Sequence, residues 1–414
     1  MGQGCGRSGA SRRRRDRPGN PAHPRRQDRQ RQADGLLTEP RGSDVLIIGG
    51  GVAGLSAGAA LARRCKVIVL EGEETIGFHS SGRSATMLHF ALGNPLVRAL
   101  TLASRAFFDA PPDGFSDVPL GHRMPVLIHA REDELDELDA LDADIAPFAS
   151  LERVEEPGIH ELCPVLRLGE GGAVAGIVDR NGIRLDPHAL LQGYAHSVRR
   201  SGGEIVFGAR AARIGWRGDR WEVKTERGER FAASVLVNAA GAWADGVAMM
   251  AGVQLLGLTP MRRTIITFEA PEGADTSGWP FAKTVGDELY FAPESGRLFA
   301  SPMDEVPTDP CDAQPDEMEV ALAAQRVEER TTITVRRIAH KWAGLRTFAR
   351  DRHPVVGFAP NASGFLWLAG QGGFGLQTSP VMAEAAASLI CGGPWPVRGV
   401  TPAQLGIRDP EVAG

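Results

Sequence analysis

Short runs of apolar residues that pass directly into turns of small residues dominate the pattern along this chain. The first covers residues 45–48 and leads into a glycine turn at 49–54, the second covers 235–238, and the third covers 365–369 and leads into the glycine-rich segment 370–375. Uninterrupted apolar and β-branched runs are typical of strands buried on both faces of a parallel sheet. The pattern therefore predicts an α/β fold. A domain that binds only a nicotinamide dinucleotide would have no need of the second of these apolar runs, residues 235–238.

The turn after the first run has the spacing G-x-G-x-x-G, formed by Gly49, Gly51 and Gly54. The first glycine permits a tight turn, the second lets the backbone approach a pyrophosphate, and the third lets the following helix pack closely against the strand. This spacing favours dinucleotide binding over a merely structural glycine-rich turn.

A helix and a second strand complete this unit. The helix is predicted over about 52–64, with the positive end of its dipole facing the phosphates, and the strand over 66–70. Glu71 follows, 20 residues beyond Gly51, where a carboxylate can accept hydrogen bonds from ribose hydroxyls. Together these features indicate a βαβ dinucleotide-binding unit.

Residues 45–62 are also 18 consecutive residues without a charge, the lower limit for a helix that spans a membrane. Five glycines interrupt this stretch, Arg63 and Arg64 end it, and the second strand returns at once as a βαβ unit requires. We therefore predict no transmembrane segment here.

Charge is distributed unevenly along the chain of 414 residues, which has 43% apolar and 23% charged residues. Residues 1–42 hold 11 Arg and 4 acidic residues, a charge of +7, so that a net charge of −5 leaves −12 for the remainder. An acidic body argues against nucleic acid as the main partner. The basic segment lacks apolar periodicity, and we expect a disordered tail, with an RNA- or membrane-surface-binding arm as the alternative.

The five cysteines are widely scattered, with no C-x-x-C and no histidines at metal-binding spacing. This pattern is typical of a reduced, intracellular protein, so we predict a cytoplasmic location and no metal site. Motifs of zinc proteases, serine hydrolases and P-loop ATPases do not occur either.

End signals and periodicity predict the elements between these motifs. An amphipathic helix is expected over 94–108 and an acidic, solvated helix over 131–145. A further helix is capped by Asp186, has proline at its first position and ends before Gly202. The strand predicted after it, 204–207, stands where a flavoprotein would extend the nucleotide-binding sheet.

Two loops contain groups suited to an anion or a flavin. Residues 77–85, GFHSSGRSA, supply small residues and backbone donors around Arg83. The segment 370–380, GQGGFGLQTSP, has four glycines in six residues ahead of a helix predicted to begin near Val381. A helix N-terminus aimed at N1 and the C2 carbonyl of a reduced flavin would stabilise its negative charge by roughly 0.3 to 2 kcal/mol.

With the motifs HSSGRSA, VLVNAAGAWAD, KWAGLRTF and GQGGFGLQTS, the chain resembles the FAD-dependent D-amino-acid oxidase superfamily over about residues 43–392. Within it, the resemblance is greatest to bacterial D-arginine dehydrogenase and related D-amino-acid dehydrogenases. It implies a glutathione-reductase-like FAD-binding (Rossmann) domain interleaved with a mixed-sheet α+β substrate domain. The implied segments are a disordered tail 1–42, an FAD-binding domain 43–110, 181–255 and 340–392, a substrate domain 111–180 and 256–339, and a C-terminal tail 393–414.

The resemblance also implies a set of FAD-binding residues in five segments. These are Gly49, Gly51, Val52, Ala53, Gly54, Glu71, Ser81, Gly82, Arg83, Ser84, Ala85, Ala240, Gly241, Gly370, Gln371, Gly372, Gly373, Phe374, Gly375, Leu376, Gln377 and Thr378. Non-covalent FAD is expected, because no cysteine lies between Cys311 and Cys391, where sarcosine oxidases attach their flavin.

The catalytic residues implied by the resemblance are Arg263 and Arg346, which would hold the substrate carboxylate, and Tyr290, whose hydroxyl would add a hydrogen bond. Paired guanidinium donors match a carboxylate and would place the substrate Cα hydrogen beneath flavin N5. The same resemblance gives the substrate-pocket residues Met87, His89, Leu92, Val126, Phe281 and Lys283, with His89 as a helper in proton transfer or simply a loop residue.

Departures from the D-arginine-specific pattern concern the substrate side chain. Val126 stands where that pattern has an acidic residue, and Lys283 replaces an apolar wall position. A basic side chain would meet no counter-charge, so we expect D-arginine to be a poor substrate and neutral or apolar D-amino acids to be preferred, while Lys283 leaves acidic substrates open.

The implied reaction is hydride transfer from the Cα of a D-amino acid to flavin N5, giving an imino acid that water hydrolyses to a 2-oxo acid and ammonia. A flavin dehydrogenase or oxidase of glycine, an N-methyl amino acid or a 2-hydroxy acid remains an alternative, since it would use the same carboxylate clamp. A non-catalytic FAD-binding module is the alternative outside enzymes. Whether oxygen or a quinone reoxidises the flavin is left open by the sequence.

Overall fold

The architecture rests on three β-sheets. The structure is a computed structural model, which describes residues 39–408. The strands are β1 Arg41–Ile48, β2 Val67–Leu70, β3 Met87–Leu88, β4 Gly121–Arg123, β5 Val126–Ala130, β6 Glu152–Glu155, β7 Ala175–Asp179, β8 Ile183–Leu185, β9 Glu204–Val206, β10 Ala211–Arg217, β11 Arg220–Thr225, β12 Arg230–Asn238, β13 Thr259–Glu269, β14 Phe281–Thr284, β15 Tyr290–Glu294, β16 Arg297–Ser301, β17 Val306–Pro307, β18 Ile338–Phe348, β19 Val355–Phe358 and β20 Phe365–Ala369.

The helices pack on both faces of these sheets. The α-helices are α1 Val52–Ala62, α2 Pro95–Asp109, α3 Leu135–Ile145, α4 Glu156–Leu162, α5 Pro187–Arg200, α6 Ala244–Ala251, α7 Glu317–Arg330, α8 Gly375–Cys391 and α9 Pro402–Leu405. Within residues 39–408, no helix is long and apolar enough to cross a membrane.

The first sheet is built around β1, which lies between β12 and β2 and is parallel to both. Strand β20 adds in parallel next to β12, and β9 adds in parallel next to β2, as predicted for residues 204–207. Strands β10, β11 and β19 complete the sheet in antiparallel pairs. Because β1, β2, β12 and β20 run the same way, the loops that follow them meet at one edge.

The second sheet is mixed, with the order β17-β13-β16-β15-β14-β5-β7-β6 and with β18 paired to β13. Its one parallel pair in this path joins β14 to β5. A third, small sheet has the order β3-β8-β4. The predicted fold class, an α/β protein with a parallel nucleotide-binding sheet and a mixed substrate sheet, is confirmed.

Several predicted elements occur with small shifts at their ends. Helix α2 is capped by Asn94, whose Oδ1 accepts from the Val97 amide at 3.0 Å. Helix α5 is capped by Asp186, which accepts from the Ala189 amide at 2.9 Å. The Asp186 cap was predicted from the sequence, and Asn94 likewise stands before a proline, where Asn and Asp favour a helix start.

The last long helix, however, begins at Gly375 and not near Val381 as expected. Pro380 lies inside it, although proline has no amide to donate to the carbonyl four residues back. The Ser379 hydroxyl donates to the Leu376 carbonyl at 2.9 Å instead. The residues 375–378 are therefore the first turn of the helix and not part of the preceding loop.

The expected segment boundaries also differ from the described strands. Strand β18 pairs with β13 along its length and so belongs to the second sheet, although 340–348 was assigned to the FAD-binding domain. Strand β1 begins at Arg41, within the expected N-terminal tail, of which residues 1–38 lie outside the described part. Trp395 and Leu405, in the expected C-terminal tail, pack against the core of the first sheet.

Four large apolar clusters fill the two faces of the two main sheets.

His129 of β5 is a polar residue embedded in this core. It is 2% exposed, and neither of its ring nitrogens has a hydrogen-bond partner among the described residues. Burial, reinforced by the nearby Arg330 guanidinium, lowers the pKa of His129 to about 3. This histidine is therefore neutral in the folded protein.

We predict that His129 makes folding pH-dependent in mild acid. The pKa of His129 is lower in the folded protein than in the unfolded chain. Its titration therefore does not reduce the free energy of unfolding above about pH 6.5. As the pH falls below that value, the free energy of unfolding decreases by up to about 1.4 kcal/mol per pH unit. Urea unfolding from pH 7 to pH 4 should show that His129→Leu removes this part of the slope. The exposed His188→Leu should keep the wild-type slope; equal slopes in wild type and His129→Leu would contradict the assignment.

Candidate active site

A cavity of about 470 Å³ lies at the edge where the parallel strands of the first sheet end. It is lined by the ends of β1, β2, β12 and β20 and by residues of β13 and β18 from the second sheet. The cavity is therefore where the loops after the parallel strands meet the mixed sheet.

The glycine turn after β1 is fixed by close backbone contacts. Gly49 has φ +115°, and a Cβ there would lie 2.3 Å from the Ala239 carbonyl oxygen. A Cβ on Gly54 would lie 1.9 Å from the Gly49 carbonyl oxygen, so α1 contacts the turn directly. Gly51 is different: a Cβ there would meet only Ser81 Oγ, at 3.2 Å, and this glycine lines the cavity. The first and third glycines thus serve packing, and the second keeps the backbone open to a ligand.

The N-termini of α1 and α8 meet at this cavity. A Cβ on Gly375, the first residue of α8, would lie 3.3 Å from Cγ1 of Val52, the first residue of α1. Two helix dipoles therefore direct their positive ends to one place, which suits phosphate groups and an electron-rich ring.

Glu71, after β2, also lines the cavity. Its carboxylate accepts from the Gly50 amide at 2.6 Å and from the Glu73 amide at 2.8 Å. Burial raises the pKa of Glu71, although these two amides oppose the shift. Each oxygen keeps a free lone pair, so the side chain can still accept from ribose hydroxyls.

The loop 79–85 is tied to both sheets. The Ser81 hydroxyl accepts from the Val52 amide at 3.0 Å, and the Ser80 hydroxyl donates to the Leu345 carbonyl at 2.6 Å. Arg83 donates to the Ala313 carbonyl at 3.1 Å and pairs with Asp312 at 2.6 Å. Its guanidinium is thus engaged by protein groups, while Arg83 also lines the cavity.

The loop after β20 contains a buried amide without a partner. Gly370, Gly372 and Gly373 all have positive φ, at +69°, +53° and +88°. Between them, the side-chain nitrogen and oxygen of Gln371 are buried and unpaired among the described residues, and Gln371 lines the cavity. An amide with one donor group and one acceptor matches the carbonyl and N–H edge of an isoalloxazine ring.

Most of the predicted FAD-binding residues line this single cavity. They are Gly49, Gly51, Val52, Ala53, Glu71, Ser81, Arg83, Ser84, Ala85, Ala240, Gly241, Gly370, Gln371, Gly372, Gly373, Gly375 and Leu376.

The other five predicted FAD-binding residues do not line the cavity. Gly54 and Gly82 are close-packing positions, and Phe374 packs on Phe348 with 6.2 Å between ring centroids. Gln377 donates to the Thr101 hydroxyl at 2.8 Å, and Thr378 donates to the Phe374 carbonyl at 2.9 Å.

Sequence reasoning missed lining residues that other parts of the chain contribute. Trp243, which precedes α6, and Met250 within α6 line the cavity, as does Ala209 after β9. Trp243 lies within the motif VLVNAAGAWAD and was detectable there, whereas Met250 and Ala209 follow no local signal.

On the second sheet, strand pairing brings Arg263 and Arg346 together. Arg346 lies directly opposite Met261, so that Arg346, Met261 and Arg263 share one face. A diagonal pair of this kind is about 7–8 Å apart. Both arginines line the cavity.

The two guanidinium groups have different supports. Arg263 donates from Nε to the Asp304 carbonyl at 2.7 Å and pairs with Glu305 at 3.2 Å, while its Nη1 is buried without a partner among the described residues. Burial and the nearby Arg263 charge lower the pKa of Arg346 to about 10, so it stays protonated at neutral pH. Together the two side chains form a cationic wall with donors directed at the cavity.

The Tyr290 hydroxyl is also buried without a partner within residues 39–408. Its ring packs on Phe281, with 5.0 Å between centroids. Pairing of β15 with β14 places Tyr290 opposite Lys283, and pairing of β14 with β5 places Phe281 opposite Val126. The register therefore brings all four onto the face that carries the two arginines.

The predicted substrate-pocket residues are not among the residues that line this cavity. Met87, Val126 and Phe281 belong to one buried apolar cluster. His89 is buried 5.7 Å from the Phe281 ring, and burial together with Lys283 lowers the pKa of His89 to about 3. Leu92 packs instead beside Phe348 and Phe374.

Lys283 differs from the expectation of a free ammonium that faces the substrate. Its Nζ pairs with Asp287 and donates to the Thr284 carbonyl at 3.2 Å. The Lys283 charge is thus neutralised within its own hairpin.

These features define a dinucleotide-binding site beside a wall that carries two arginines. Residues 44–389 match the family model described as FAD dependent oxidoreductase, DAO, and the chain belongs to this family. Its cofactor is FAD, for which the paired helix N-termini, Glu71 and Gln371 supply matching groups.

Similar proteins include the FAD-dependent oxidoreductase domain-containing protein 1 of Bos taurus, which is 26% identical over 86% of this chain and 82% of its own length. The glycine oxidase of Geobacillus kaustophilus is 26% identical over 84% of this chain and 92% of its length, and its crystal structure matches 89% of this chain with a TM-score of 0.77. The FAD-bound L-α-glycerophosphate oxidase of Mycoplasma pneumoniae matches 87% of this chain and 99% of its own, at 19% identity and a TM-score of 0.77.

We predict that Gly54→Ala removes FAD binding, because its Cβ would force α1 away from the Gly49 carbonyl. The free energy of unfolding should fall by about 1–3 kcal/mol. The absorbance ratio of flavin to protein and the Tm of the purified variant measure both effects. Gly215→Ala is the control, since a Cβ there meets nothing within 4 Å. Full flavin content and an unchanged Tm in Gly54→Ala would contradict the close contact.

Proposed function

We propose that this protein oxidises a D-amino acid with a neutral or apolar side chain to the imino acid, which water converts to a 2-oxo acid and ammonia. The observation that carries the proposal is the pair Arg263 and Arg346 on the wall of the flavin cavity, with unpaired donors beside the buried Tyr290 hydroxyl. Such donors match the carboxylate common to all amino acids.

Arg263 and Arg346, here called the carboxylate clamp, are held in place before the substrate binds. Asp304 and Glu305 fix Arg263, and Asp304 is itself fixed by the Thr264 amide and hydroxyl at 2.7 and 3.0 Å. Arg346 lies against the loop after β20, where a Cβ on Gly373 would come within 2.9 Å of its Cδ. Little side-chain ordering is then required on binding, so the interaction energy serves to orient the substrate Cα.

When bound, FAD supplies the acceptor for the hydride of the substrate Cα. In this proposal Arg263, Arg346 and Tyr290 fix the substrate carboxylate. The N-termini of α1 and α8 favour negative charge in the cavity. Burial, together with Lys283, lowers the pKa of His89 to about 3, which makes it too weak a base for the substrate amine; in this proposal the amine loses its proton to solvent.

The proposed side-chain preference rests on charge. Val126 offers no carboxylate to a guanidinium, which disfavours D-arginine, and the pairing of Lys283 with Asp287 removes the reason to expect acidic substrates. Preference for the D-enantiomer is supported by the resemblance to bacterial D-arginine dehydrogenase on HSSGRSA and KWAGLRTF.

A second candidate is oxidation of another small carboxylate, such as glycine, an N-methyl amino acid or a 2-hydroxy acid. The clamp recognises only the carboxylate, and one similar protein is a glycine oxidase. The substrates of the two candidates therefore share the carboxylate and differ in the groups that the Cα carries.

We further propose non-covalent FAD, since none of the described cysteines lines the cavity. A cytoplasmic location is proposed from the scattered cysteines alone. The interleaved domains are proposed as expected from the sequence, with β18 moved to the substrate domain.

An anaerobic titration tests the reaction. The flavin band near ~450 nm should bleach with D-leucine or D-alanine, faster than with D-arginine, and not with L-amino acids. Bleaching only by glycine, N-methylglycine or a 2-hydroxy acid would replace the first candidate with the second. A flavin that none of these compounds reduces would overturn both.

We predict that Arg346→Met raises the KM for the amino acid by about 10- to 100-fold, because a charge-assisted hydrogen bond contributes about 1.5–3 kcal/mol. Tyr290→Phe should have a smaller effect in the same direction. Steady-state kinetics with the flavin content held equal measures both. The control is Arg262→Met, whose side chain lies on the opposite face of β13 and pairs with Asp316 at 3.7 Å. An unchanged KM in Arg346→Met would argue against the clamp.

A further inference from the structure

A second cavity, of about 610 Å³, adjoins the flavin cavity, and Ser84 lines both. Along β13, Arg263 lines the first cavity and Thr267 the second; along β18, Arg346 lines the first and His340 the second. Because alternate residues of a strand share a face, both cavities lie over one face of the second sheet. A molecule held by the arginines could therefore extend along this face into the second cavity.

An ion pair lies at the inner wall of the second cavity. Arg184 of β8 pairs with Glu294 of β15 and also donates to the Ala85 carbonyl in the flavin-side loop. The Arg184 side chain is only 14% exposed, whereas that of Glu294 is 38% exposed. The buried cation thus depends on a carboxylate that solvent in the cavity can reach.

Arg184 also lies close to the proposed clamp. Its guanidinium carbon is 4.5 Å from the centroid of the Phe299 ring, which in turn is 6.1 Å from the Tyr290 ring. Glu294 lies four residues after Tyr290 on β15 and so shares its face. The ion pair is therefore next to the path that a substrate side chain would follow.

The other strongly charged residues on this wall already have partners. Arg297 pairs with Glu269 at 2.9 Å, and Asp186 caps α5. In a partly buried ion pair, each charge compensates the other. Removal of one partner leaves the charge of the other uncompensated. The charge that the second cavity presents thus depends on whether Arg184 and Glu294 remain paired.

We propose that the second cavity is the subsite for the side chain of the substrate, and that the Arg184–Glu294 pair restricts that side chain to neutral groups. This inference rests on the proposed oxidation of amino acids. It assigns a specificity role to two residues that lie outside the flavin cavity.

The test uses three unreactive carboxylates of equal length: hexanoate, adipate and 6-aminohexanoate. Their dissociation constants from the FAD-loaded protein are measured by calorimetry, which needs no turnover. The wild type should bind hexanoate best. Glu294→Gln leaves Arg184 unpaired, and it should bind adipate at least about tenfold better relative to hexanoate. Arg184→Gln leaves Glu294 unpaired and should shift the ratio towards 6-aminohexanoate.

The control is Glu152→Gln, which breaks an exposed pair with Arg180, 2.8 Å apart on the far edge of the second sheet. It should leave all three constants unchanged. Hexanoate binding in each variant shows that the clamp is intact, so a variant that fails to fold is recognised by its loss of hexanoate binding. If Arg184→Gln does not fold, Glu294→Gln alone is sufficient for the test. Ratios equal to the wild-type ratios in a variant that binds hexanoate would overturn the side-chain subsite.

The outcomes separate this inference from the proposed function. If hexanoate does not bind the wild type, the side-chain subsite is rejected, and the flavin titration alone decides the proposed oxidation. If amino acids reduce the flavin but the charge ratios do not move, only the subsite is rejected. If the ratios move but no amino acid reduces the flavin, the subsite stands, and the substrate is a different carboxylate.

Discussion

The antiparallel ladder between β13 and β18 is the constraint on which the site depends. It runs from Thr259 opposite Phe348 to Phe268 opposite Ile338, with its irregularity only at the far end, after Thr267. A slip of one residue in this pairing would turn one arginine away from the other. The register therefore determines that Arg263 and Arg346 face the same cavity, and no local interaction of either arginine could do so.

Two like charges so close together in a buried wall oppose folding, and the surrounding residues offset this in different ways. Glu305 and the Asp304 carbonyl hold Arg263, and Arg352 pairs with Glu305 on its solvent side at 2.8 Å. Arg346 has no such partner among the described residues, and its lowered pKa reflects burial beside Arg263. An anionic ligand is the group that would relieve this repulsion, which links the stability of the wall to its chemistry.

On the flavin side, the constraint is close packing and not charge. The contact of Gly54 with the Gly49 carbonyl sets the position of α1, and Val52 of α1 lies against Gly375 of α8. Both helices contribute to one apolar core with β1 and β20. The positive ends of two helices are thus fixed at one edge of the sheet by apolar contacts that are distant from any ligand.

The sequence by itself determined the local elements and the chemistry they could support. The glycine turn, Glu71 after β2, the cap at Asp186 and the small-residue turns after β12 and β20 follow from backbone sterics and capping preferences, which act over a few residues. Tertiary structure decided the rest. Lys283 was taken for a charge that faces the substrate, because its pairing with Asp287 forms only in the folded hairpin. The start of α8 was misplaced because the Ser379 hydroxyl compensates for Pro380. The wall of the active site depends on pairing between strands about eighty residues apart in the chain, and such pairing is set by burial across the whole sheet, which no local pattern encodes.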